Sequence, residues 1–494
     1  MQNLTIQNDL RPELPHICGN VDYIQFRETL IKIDEILCKG KLEDQLIETA
    51  IDRLERENKR EFVNNDYVRV WKDLQFALRC NIVRHLTGES FRKFSMRLSD
   101  STLFQWFTNI HYFTKKKSIS KSSLERFSKM FDEQTIAEEL RVWQSKFLTN
   151  SDNAKSIGLN KPMDFHDLFM DSTCVKANIH FPVDWVLLRD AARSLLLAVK
   201  TIRAQGLKHR MIEPSELMKQ MNKLCISMTH TRRRKDGKKQ RKKILRYIKK
   251  LSYCIRKHAE RYRTLLINSR EKTNWSQAQA NLVINRIDNI LNQLPQAIKQ
   301  AHERIIGERK LSTEEKILSL YEPDVHVIIR GKSGNEVEFG QGLMLTEQRD
   351  GLIVDWQLFK DQPKSDSNIF QSVVKRIQKY YGMANSTTGD RSFYSRSNEK
   401  FLDQENIFNA LCARNPKQLK EQLNDPLFLE LQTRRSQTEG RIGIFKNVFL
   451  GKPLKSKGFF HRQMAISWCV LTHNLWVIAR KALSDEKDDL KKTA

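Results

Sequence analysis

The segment Asp167-Leu-Phe-Met-Asp171-Ser-Thr-Cys-Val175 places an acidic residue inside a run of apolar and β-branched side chains. A short apolar run of this kind predicts a buried strand. The strand would carry Asp171, which is the first candidate site residue. Considered alone, Asp171 is better explained by a turn or capping role before Ser172.

Two further acids stand in comparable positions downstream. The strand-like run from Ala384 ends on Asp390. The segment Arg435-Ser-Gln-Thr-Glu439-Gly-Arg-Ile-Gly-Ile-Phe-Lys446 has an R-x3-E-x6-K spacing within a helical run. Helical positions four and seven apart lie on nearly one face, so we expect one carboxylate between two cations on a single stripe. The simpler alternatives are a loop ion pair for Asp390 and ordinary helical ion pairs for Glu439.

Three separated acids in these contexts predict a metal site that cuts nucleic acid. Mg²⁺ prefers carboxylate oxygens. Two such ions about 3.5–4 Å apart can activate an attacking oxygen, stabilise a leaving oxygen and neutralise phosphate charge. Asp171 is the candidate bridging ligand, and Asp390 and Glu439 complete the set. Because the ions would offset the repulsion among the carboxylates, we expect the site to be unstable without metal.

The composition favours a folded protein with a polyanionic partner. The chain has 494 residues, a length typical of two to four domains, and a formal net charge of +27. Hydrophobic residues at 39% and aromatic residues at 9% exclude a disordered basic tail. The eight cysteines are scattered without a C-x2-C pair, so reduced thiols are expected and a zinc module is not.

Residues 1–150 are predicted to form an all-helical domain for DNA binding or dimerisation, because their apolar residues recur at helical spacing. Ser101 or Asp100 can cap a new helix, and another short helix is expected between Ser118 and Phe127. These helices fit a helix-turn-helix on DNA and a plain helical bundle equally well.

A very basic helical stretch follows, with its cationic face extending from Arg232 to Arg263. Apolar residues such as Leu245 and Ile248 form a stripe, so one face packs while the other is charged. Two long helices joined by a turn near residues 268–274 fit this pattern. A solvated coiled coil is the alternative, but clustering this dense favours phosphate contact. The candidate DNA-binding residues here are Arg232, Arg233, Arg234, Lys238, Lys239, Arg241, Lys242 and Lys243.

The remaining pattern predicts an α/β fold, with a mixed sheet flanked by helices. Asp184 is expected to cap a helix that runs from Trp185 to about Ala204. Further strands are expected at 324–330, 336–347, 352–360 and 407–413, with a helix at 367–381 and helices from 417 onward. The predicted divisions are a helical N-terminal domain at 1–150, a catalytic domain at 160–205 and 321–484, a basic helical insertion at 206–320, and a disordered tail at 485–494.

Three segments together carry a resemblance to one protein family. Met170 to Asp190 and Thr388 to Ser395 resemble the two aspartate segments of bacterial insertion-sequence transposases of the DDE type, the first that of the ISNCY-like group. Arg435 to Lys446 is similar to the Y-R-E-K signature of related transposases. The arginine, glutamate and lysine of that signature are present, whereas its tyrosine position holds Gln432. The resemblance covers about Gly88 to Leu483.

The resemblance implies an RNase H-like catalytic domain in which Asp171, Asp390 and Glu439 bind two Mg²⁺ ions, with Mn²⁺ as a substitute. It implies that Arg435 and Lys446 hold DNA near the transposon end, and that the basic helical stretch is an insertion into the catalytic fold. The expected reaction is metal-dependent cleavage at insertion-sequence ends, followed by strand transfer into target DNA.

Two alternatives to this function stay open at this point: a catalytically silent DNA-binding descendant of a transposase, and a two-metal nuclease without strand transfer. The expected partners are terminal inverted repeats and target DNA, bound by a homodimer. No apolar run reaches transmembrane length, so no membrane partner is expected. The expected location is the cytoplasm, at the bacterial nucleoid.

Overall fold

The chain divides into two compact units. Unit 1 contains Met1–Lys176 and Gln341–Ala494, and unit 2 contains Ala177–Gly340. Unit 1 therefore contains the predicted N-terminal domain and most of the predicted catalytic domain, and unit 2 contains the predicted insertion at 206–320. The computed structural model describes residues 13–15, 17–110, 118–231, 235–312, 315–329, 337–361, 365–451 and 454–493.

Polar residues mark the starts of many helices in the first part of unit 1. Ser90, Ser101, Asp132 and Asn150 each accept a hydrogen bond from a backbone N–H in the first turn of the next helix. This satisfies donors that the helix itself leaves unpaired, and it confirms the predicted cap at Ser101. The helices are α1 (Val21–Lys39), α2 (Leu42–Asn58), α3 (Asn65–Leu86), α4 (Phe91–Asp100), α5 (Thr102–Phe107), α6 (Lys121–Phe127), α7 (Glu133–Phe147) and α8 (Ser151–Ser156).

Unit 2 is built mainly from long helices that bury facing apolar stripes. Leu245, Ile248 and Ile287 belong to its hydrophobic core. The turn predicted between the two longest helices is present, as a short 3-10 helix at Arg270–Lys272. The helices are α9 (Asp184–Ala204), α10 (Pro214–His230), α11 (Gly237–Asn268) and α12 (Gln277–Ile305).

Asp184 is the first residue of α9, and the prediction that it caps this helix is wrong. The residue at the cap position is Val183, which makes no side-chain hydrogen bond to the helix. The Asp184 carboxylate instead accepts hydrogen bonds from Gln300 Nε2 at 2.9 Å and Arg304 Nη1 at 2.8 Å. A buried carboxylate needs such partners, so Asp184 joins α9 to α12.

The strands form a mixed sheet with the order β2-β3-β1-β5-β6, and β4 pairs with β3. β1, β5 and β6 are parallel, whereas β3 is antiparallel to both β2 and β4. The predicted strands are all present, with ends that differ by a few residues, and the predicted mixed α/β architecture is confirmed. The strands are β1 (Asp167–Lys176), β2 (His326–Ile329), β3 (Val337–Glu347), β4 (Ile353–Leu358), β5 (Ser386–Gly389) and β6 (Phe408–Leu411).

Helices dominate the rest of unit 1 and continue further than predicted. The expected disordered tail is wrong for residues 485–493, which belong to the last helix. The Glu486 carboxylate pairs with Lys32 Nζ, and Asp485 Oδ2 accepts a 3.0 Å hydrogen bond from the Asn160 N–H, so the tail is anchored. The elements are α13 (Asp366–Tyr381), α14 (Arg396–Gln404), α15 (Pro416–Gln422), α16 (Pro426–Ile444), a π-helical turn (Phe445–Leu450) and α17 (Phe459–Thr493).

The N-terminal helices and the sheet share one hydrophobic core, which explains why they fall into one unit. Leu74 of α3, Val354 of β4 and Leu475 of α17 belong to the same buried cluster. Asp355 of β4, which is 0% exposed, pairs with Arg141 of α7 at 3.0 Å and Arg376 of α13 at 2.6 Å. These contacts bridge the predicted domain boundary near residue 150.

Candidate functional site

Asp171 and Asp390 lie level with each other on neighbouring parallel strands. β1 and β5 pair so that Phe169 is opposite Thr388. Two residues further along each strand, the chain reaches Asp171 on β1 and Asp390 directly after β5. Residues two apart point to the same face of a sheet. The strand register therefore brings together two of the three predicted carboxylates.

The third acid, Glu439, is electrostatically coupled to this pair. The pKa of Asp171 is raised to about 6, first by burial and then by the negative charges of Asp390 and Glu439. The backbone N–H of Ser172 and the guanidinium of Arg435 act in the opposite direction. A carboxyl group in such surroundings retains a proton more readily than usual, unless a positive partner joins it.

A fourth carboxylate, Asp366 at the start of α13, belongs to the site and was missed in the sequence. Its Oδ2 accepts hydrogen bonds of 2.8 Å from both Ser172 Oγ and Ser392 Oγ. Ser392 Oγ also lies within hydrogen-bonding distance of Asp390 Oδ1. A hydroxyl group has only one hydrogen to donate, so Ser392 serves one of the two carboxylates at a time. Asp366 thus connects the neighbours of Asp171 and Asp390.

Helix α16, which carries Glu439, is docked on the sheet by apolar and charged contacts. Phe428 and Leu431 pack in one buried cluster with Phe169 of β1. The Arg434 guanidinium lies 4.5 Å from the centre of the Phe169 ring, and its Nη1 pairs with Glu347 of β3 at 3.0 Å. These residues fix the helix beside the strand that carries Asp171. Sequence reasoning also missed Arg434, which precedes the Arg435 of the signature.

Gln432, at the tyrosine position of the signature, connects the strands to the acidic site. Its Nε2 donates hydrogen bonds to the carbonyls of Ala410 at 2.6 Å and Gly389 at 3.2 Å. Its Oε1 accepts from Arg435 Nε at 3.0 Å, and Arg435 Nη1 donates to Glu439 Oε1 at 3.1 Å. The Arg435 side chain is 19% exposed and that of Glu439 is 54% exposed, so the series of bonds leads from the sheet to the surface.

Lys446 lies outside the α-helical stripe predicted for it. Helix α16 ends at Ile444, and Lys446 belongs to the π-helical turn that follows. A π turn has a wider repeat than an α-helix, so the expectation of one continuous stripe is wrong at this position. Lys446 Nζ nevertheless donates a 2.9 Å hydrogen bond to Thr173 Oγ1 on β1. This places the ammonium group beside the strand of Asp171.

The donor types of the site suit Mg²⁺, but their present arrangement is not a coordination shell. Carboxylate oxygens are the ligands that this cation prefers. Among the residues that the structure describes, however, no group of three or more His, Cys, Asp or Glu is placed to hold a metal ion. Two of the predicted carboxylates are directed to protein partners, since Asp390 accepts from the Ser392 N–H at 2.8 Å and Glu439 pairs with Arg435.

The predicted DNA-binding residues of unit 2 differ in their surroundings. Arg232 to Arg234 lie outside the described residues. Lys238 and Lys242 face Glu308, at 3.9 Å and 2.9 Å, which partly neutralises them. Arg241 Nε donates a 3.2 Å hydrogen bond to a threonine hydroxyl. The first turns of α11 are therefore less available to a polyanion than the sequence suggested.

Exposed cations without a carboxylate partner among the described residues occur between these paired residues and further along α11. Lys239 and Lys243 are exposed, and beyond them an open groove of about 760 Å³ runs between α11 and the end of α12. Carboxylates are absent from the described residues that line this groove. Its main polar and aromatic residues are Arg246, Lys249, Lys250, Tyr253, Lys257 and His302.

Comparisons of the chain with protein-family models, with curated proteins and with solved structures find no match. Within the described ranges, no helix combines the length and the apolar character needed to cross a membrane. The function is therefore inferred from the residues of this chain alone.

Proposed function

We propose that the protein is a DDE-type transposase with an RNase H-like catalytic domain in unit 1 and a DNA-binding insertion in unit 2. The main support is the register of β1 and β5, which aligns Asp171 with Asp390, together with the effect of Glu439 on the pKa of Asp171. A mixed sheet in which three antiparallel strands adjoin three parallel strands supports the RNase H-like assignment.

The proposed roles follow from the chemistry of each side chain. Asp171, Asp390 and Glu439 would hold Mg²⁺, or Mn²⁺ in its place. When bound, such ions activate the attacking oxygen and neutralise charge on the phosphate. Arg435 and Lys446 would contact DNA phosphates near the acids, since Arg435 donates a hydrogen bond to Glu439 and Lys446 donates one to Thr173 on the strand of Asp171.

The proposed reaction has two displacements at phosphorus. In the first, water attacks a phosphodiester at an element end, the bond to the leaving 3′ oxygen breaks, and a 3′-OH is released. In the second, this 3′-OH attacks a target phosphodiester, and the target's own 3′ oxygen leaves with a proton. Neither step requires a covalent enzyme intermediate. Joining two ends to one target favours a homodimer on the DNA.

The groove on unit 2 supports the DNA-binding part of the proposal. Arg246, Lys250 and Lys257 are exposed, and none of them pairs with a carboxylate among the described residues. Tyr253 lies among them and offers an exposed aromatic surface. Backbone phosphates are the natural partners of such a groove, and binding there would be strongly salt-dependent.

The test is cleavage and strand transfer with Mg²⁺ and a duplex that carries the inverted repeats flanking the gene. Asp171→Asn, Asp390→Asn and Glu439→Gln should each reduce cleavage by roughly 10³-fold or more, because removing a metal ligand abolishes the catalytic ion. DNA affinity should stay within about twofold. The matched control is Glu430→Gln, because Glu430 is on the same helix but pairs with Arg349 at 2.7 Å.

The products distinguish the proposal from its alternatives. Joined molecules with defined element ends support a transposase. Cleavage without joining would support a two-metal nuclease instead. Binding of the ends without any cleavage in Mg²⁺ or Mn²⁺ would indicate a silent descendant, and the proposal would then be wrong.

A further inference from the structure

A cavity of about 710 Å³ lies within unit 1, away from the acidic residues described above. Its walls come from α3, α4 and α6 on one side, and from residues 449–451 and 454–468 on the other. This volume is in the range of small-molecule sites and is far larger than the gaps that side-chain packing normally leaves. Of the described residues that line it, two are carboxylates and six are cations: Arg84, Arg92, Lys121, Lys129, Lys455 and Lys457.

Arg84 is the least exposed of these six cations, since the other five are exposed. No carboxylate of the described residues pairs with it, and its Nε atom is closed off from solvent without a hydrogen-bond partner. Its guanidinium lies 4.3 Å from the centre of the Phe91 ring. Burial lowers the pKa of Arg84 to about 10, so the side chain is still charged at neutral pH. Withdrawing a cation from water without a counter-ion is costly, and an anionic ligand would remove that cost.

The neighbour of Arg84 orients the guanidinium but does not neutralise it. Burial and the Arg84 charge lower the pKa of His85 well below its usual value, so the imidazole is neutral. Its Nε2 then accepts a hydrogen bond from Arg84 Nη2, while its Nδ1 lies 3.0 Å from Cys469 Sγ. This assignment of the ring nitrogens follows from the hydrogen-bond network. Arg84 is thus held in place with its positive charge intact.

The two carboxylates of the cavity wall do not balance its cations. Glu89 Oε1 is already paired with Arg97 at 2.9 Å. Glu125 has no ion pair with a cavity cation among the described residues. Apolar side chains, including Met464 and Trp468, complete the wall. The cavity therefore combines a fixed excess of positive charge with an apolar surface, which suits a ligand that has an anionic and a flat apolar part.

We propose that this cavity binds the phosphate group of a nucleotide, with Arg84 as its principal anion partner and the half-buried Phe91 and Leu450 of the cavity wall beside the base. A guanidinium forms paired hydrogen bonds with phosphate oxygens more readily than an ammonium group does. The same phosphate chemistry is offered by a free nucleotide and by a nucleotide within a DNA strand. This site does not depend on the function proposed for the acidic residues.

The experiment is isothermal titration of the full-length protein with deoxyadenosine monophosphate, deoxyadenosine and inorganic phosphate. The nucleotide should bind, and the nucleoside should bind roughly tenfold more weakly or not at all, because it lacks the charge. Arg84→Gln should weaken nucleotide binding by roughly tenfold or more. Arg84→Lys should retain part of it. The matched control, Lys93→Gln, removes an exposed cation of α4 that does not line the cavity and should leave affinity within about twofold.

Folding is monitored by thermal unfolding of each variant. Since the Arg84 charge is unpaired in the free protein, Arg84→Gln should unfold at the same temperature as the parent or higher. If a short single-stranded oligonucleotide competes with the nucleotide, the phosphate of a DNA strand is the ligand of this cavity. If the oligonucleotide does not compete, the ligand is a free nucleotide. Equal binding of nucleotide and nucleoside, unchanged affinity in Arg84→Gln, or no nucleotide binding at all would overturn the proposal.

Discussion

Arg435 Nε donates a 3.0 Å hydrogen bond to Gln432 Oε1, and the same glutamine amide binds the Ala410 carbonyl on β6. The cation next to Glu439 is therefore positioned from the sheet. Leucine is similar in size to glutamine but cannot form these hydrogen bonds. In Gln432→Leu, Arg435 and Glu439 should therefore lose their fixed orientation. We expect cleavage to fall by roughly tenfold or more, because small misplacements of catalytic groups are costly.

The measurement is single-turnover cleavage of an end-bearing duplex by Gln432→Leu, with DNA affinity determined in parallel. Gln437→Leu is the matched control, since Gln437 is exposed on the same helix. A positioning role predicts a lower rate with affinity within about twofold. If both variants cleave at the parental rate, Gln432 does not position the site.

Asp366 provides a second test of how the acids are oriented. Asp366→Asn weakens the acceptor for both Ser172 and Ser392, and hydrogen bonds to a charged acceptor are worth about 1.5–3 kcal/mol. We expect cleavage to fall by roughly 10–100-fold. The control is Asp403→Asn, which changes an exposed carboxylate on α14. Parental cleavage by Asp366→Asn would remove Asp366 from the site.

The raised pKa of Asp171 predicts how stability depends on pH in metal-free protein. Its folded-state pKa of about 6 lies above the ordinary value of 3.8, so the native state favours the protonated form. The stability that this provides is present below about pH 4 and is lost as the pH rises through 6. In EDTA at pH 7.5, Asp171→Asn should therefore raise the free energy of unfolding by on the order of 1–3 kcal/mol.

Chemical denaturation at pH 4 and pH 7.5 measures this effect. The difference in the free energy of unfolding between Asp171→Asn and the parent should be small at pH 4 and larger at pH 7.5. Adding Mg²⁺ at pH 7.5 should stabilise the parent more than the variant, because a ligand of the native state shifts unfolding. A difference that does not change between the two pH values would contradict the proposed surroundings of Asp171.

The sequence predicted the strands and the acids because local patterns determine them. The apolar run around Asp171 and the spacing from Arg435 to Glu439 are visible without any tertiary information. Asp366 could not be found in this way, since in sequence it is an ordinary acid in the first turn of a helix. Its role comes from hydrogen bonds to Ser172 and Ser392, which are distant in the chain.

The grouping of the N-terminal helices with the sheet in unit 1 was not predictable for a related reason. Helical periodicity shows that a face is buried but does not show what covers it. In unit 1 the N-terminal helices pack on the sheet and on α17. Lys446 departs from the predicted helical stripe because the π-helical turn changes the angular repeat after Ile444. Neither the shared core of unit 1 nor the π-helical turn is indicated by the local sequence.

The shared core of unit 1 makes a prediction about stability. Asp355→Asn would leave Arg141 and Arg376 without their common carboxylate. Removing one member of a buried ionic group costs about 3–5 kcal/mol. We expect the free energy of unfolding to fall by this amount, and we expect α7 and the sheet to unfold together. Hydrogen exchange measures both regions, and independent unfolding of the N-terminal helices would argue for separate domains.

The groove on α11 predicts which cations determine the salt dependence of DNA binding. Combining Arg246→Gln, Lys250→Gln and Lys257→Gln removes exposed charges without carboxylate partners among the described residues. Each phosphate contact contributes about 0.9 to the slope of log affinity against log salt concentration. The triple variant should therefore lose roughly two to three from that slope, and binding should weaken similarly for all DNA sequences.

The paired cations of the same helix provide the control for this measurement. Lys238 and Lys242 face Glu308, and Arg256 Nε pairs with Glu260 at 2.8 Å. Replacing these three by glutamine changes the net charge by the same amount, but none of the three lines the groove, so no phosphate contact within it is removed. For this triple variant, the slope of log affinity against log salt concentration should stay within about one of the parental value. If the slope falls equally in the two triple variants, DNA binding depends only on the overall charge of the protein. The groove would then not be the DNA-binding surface.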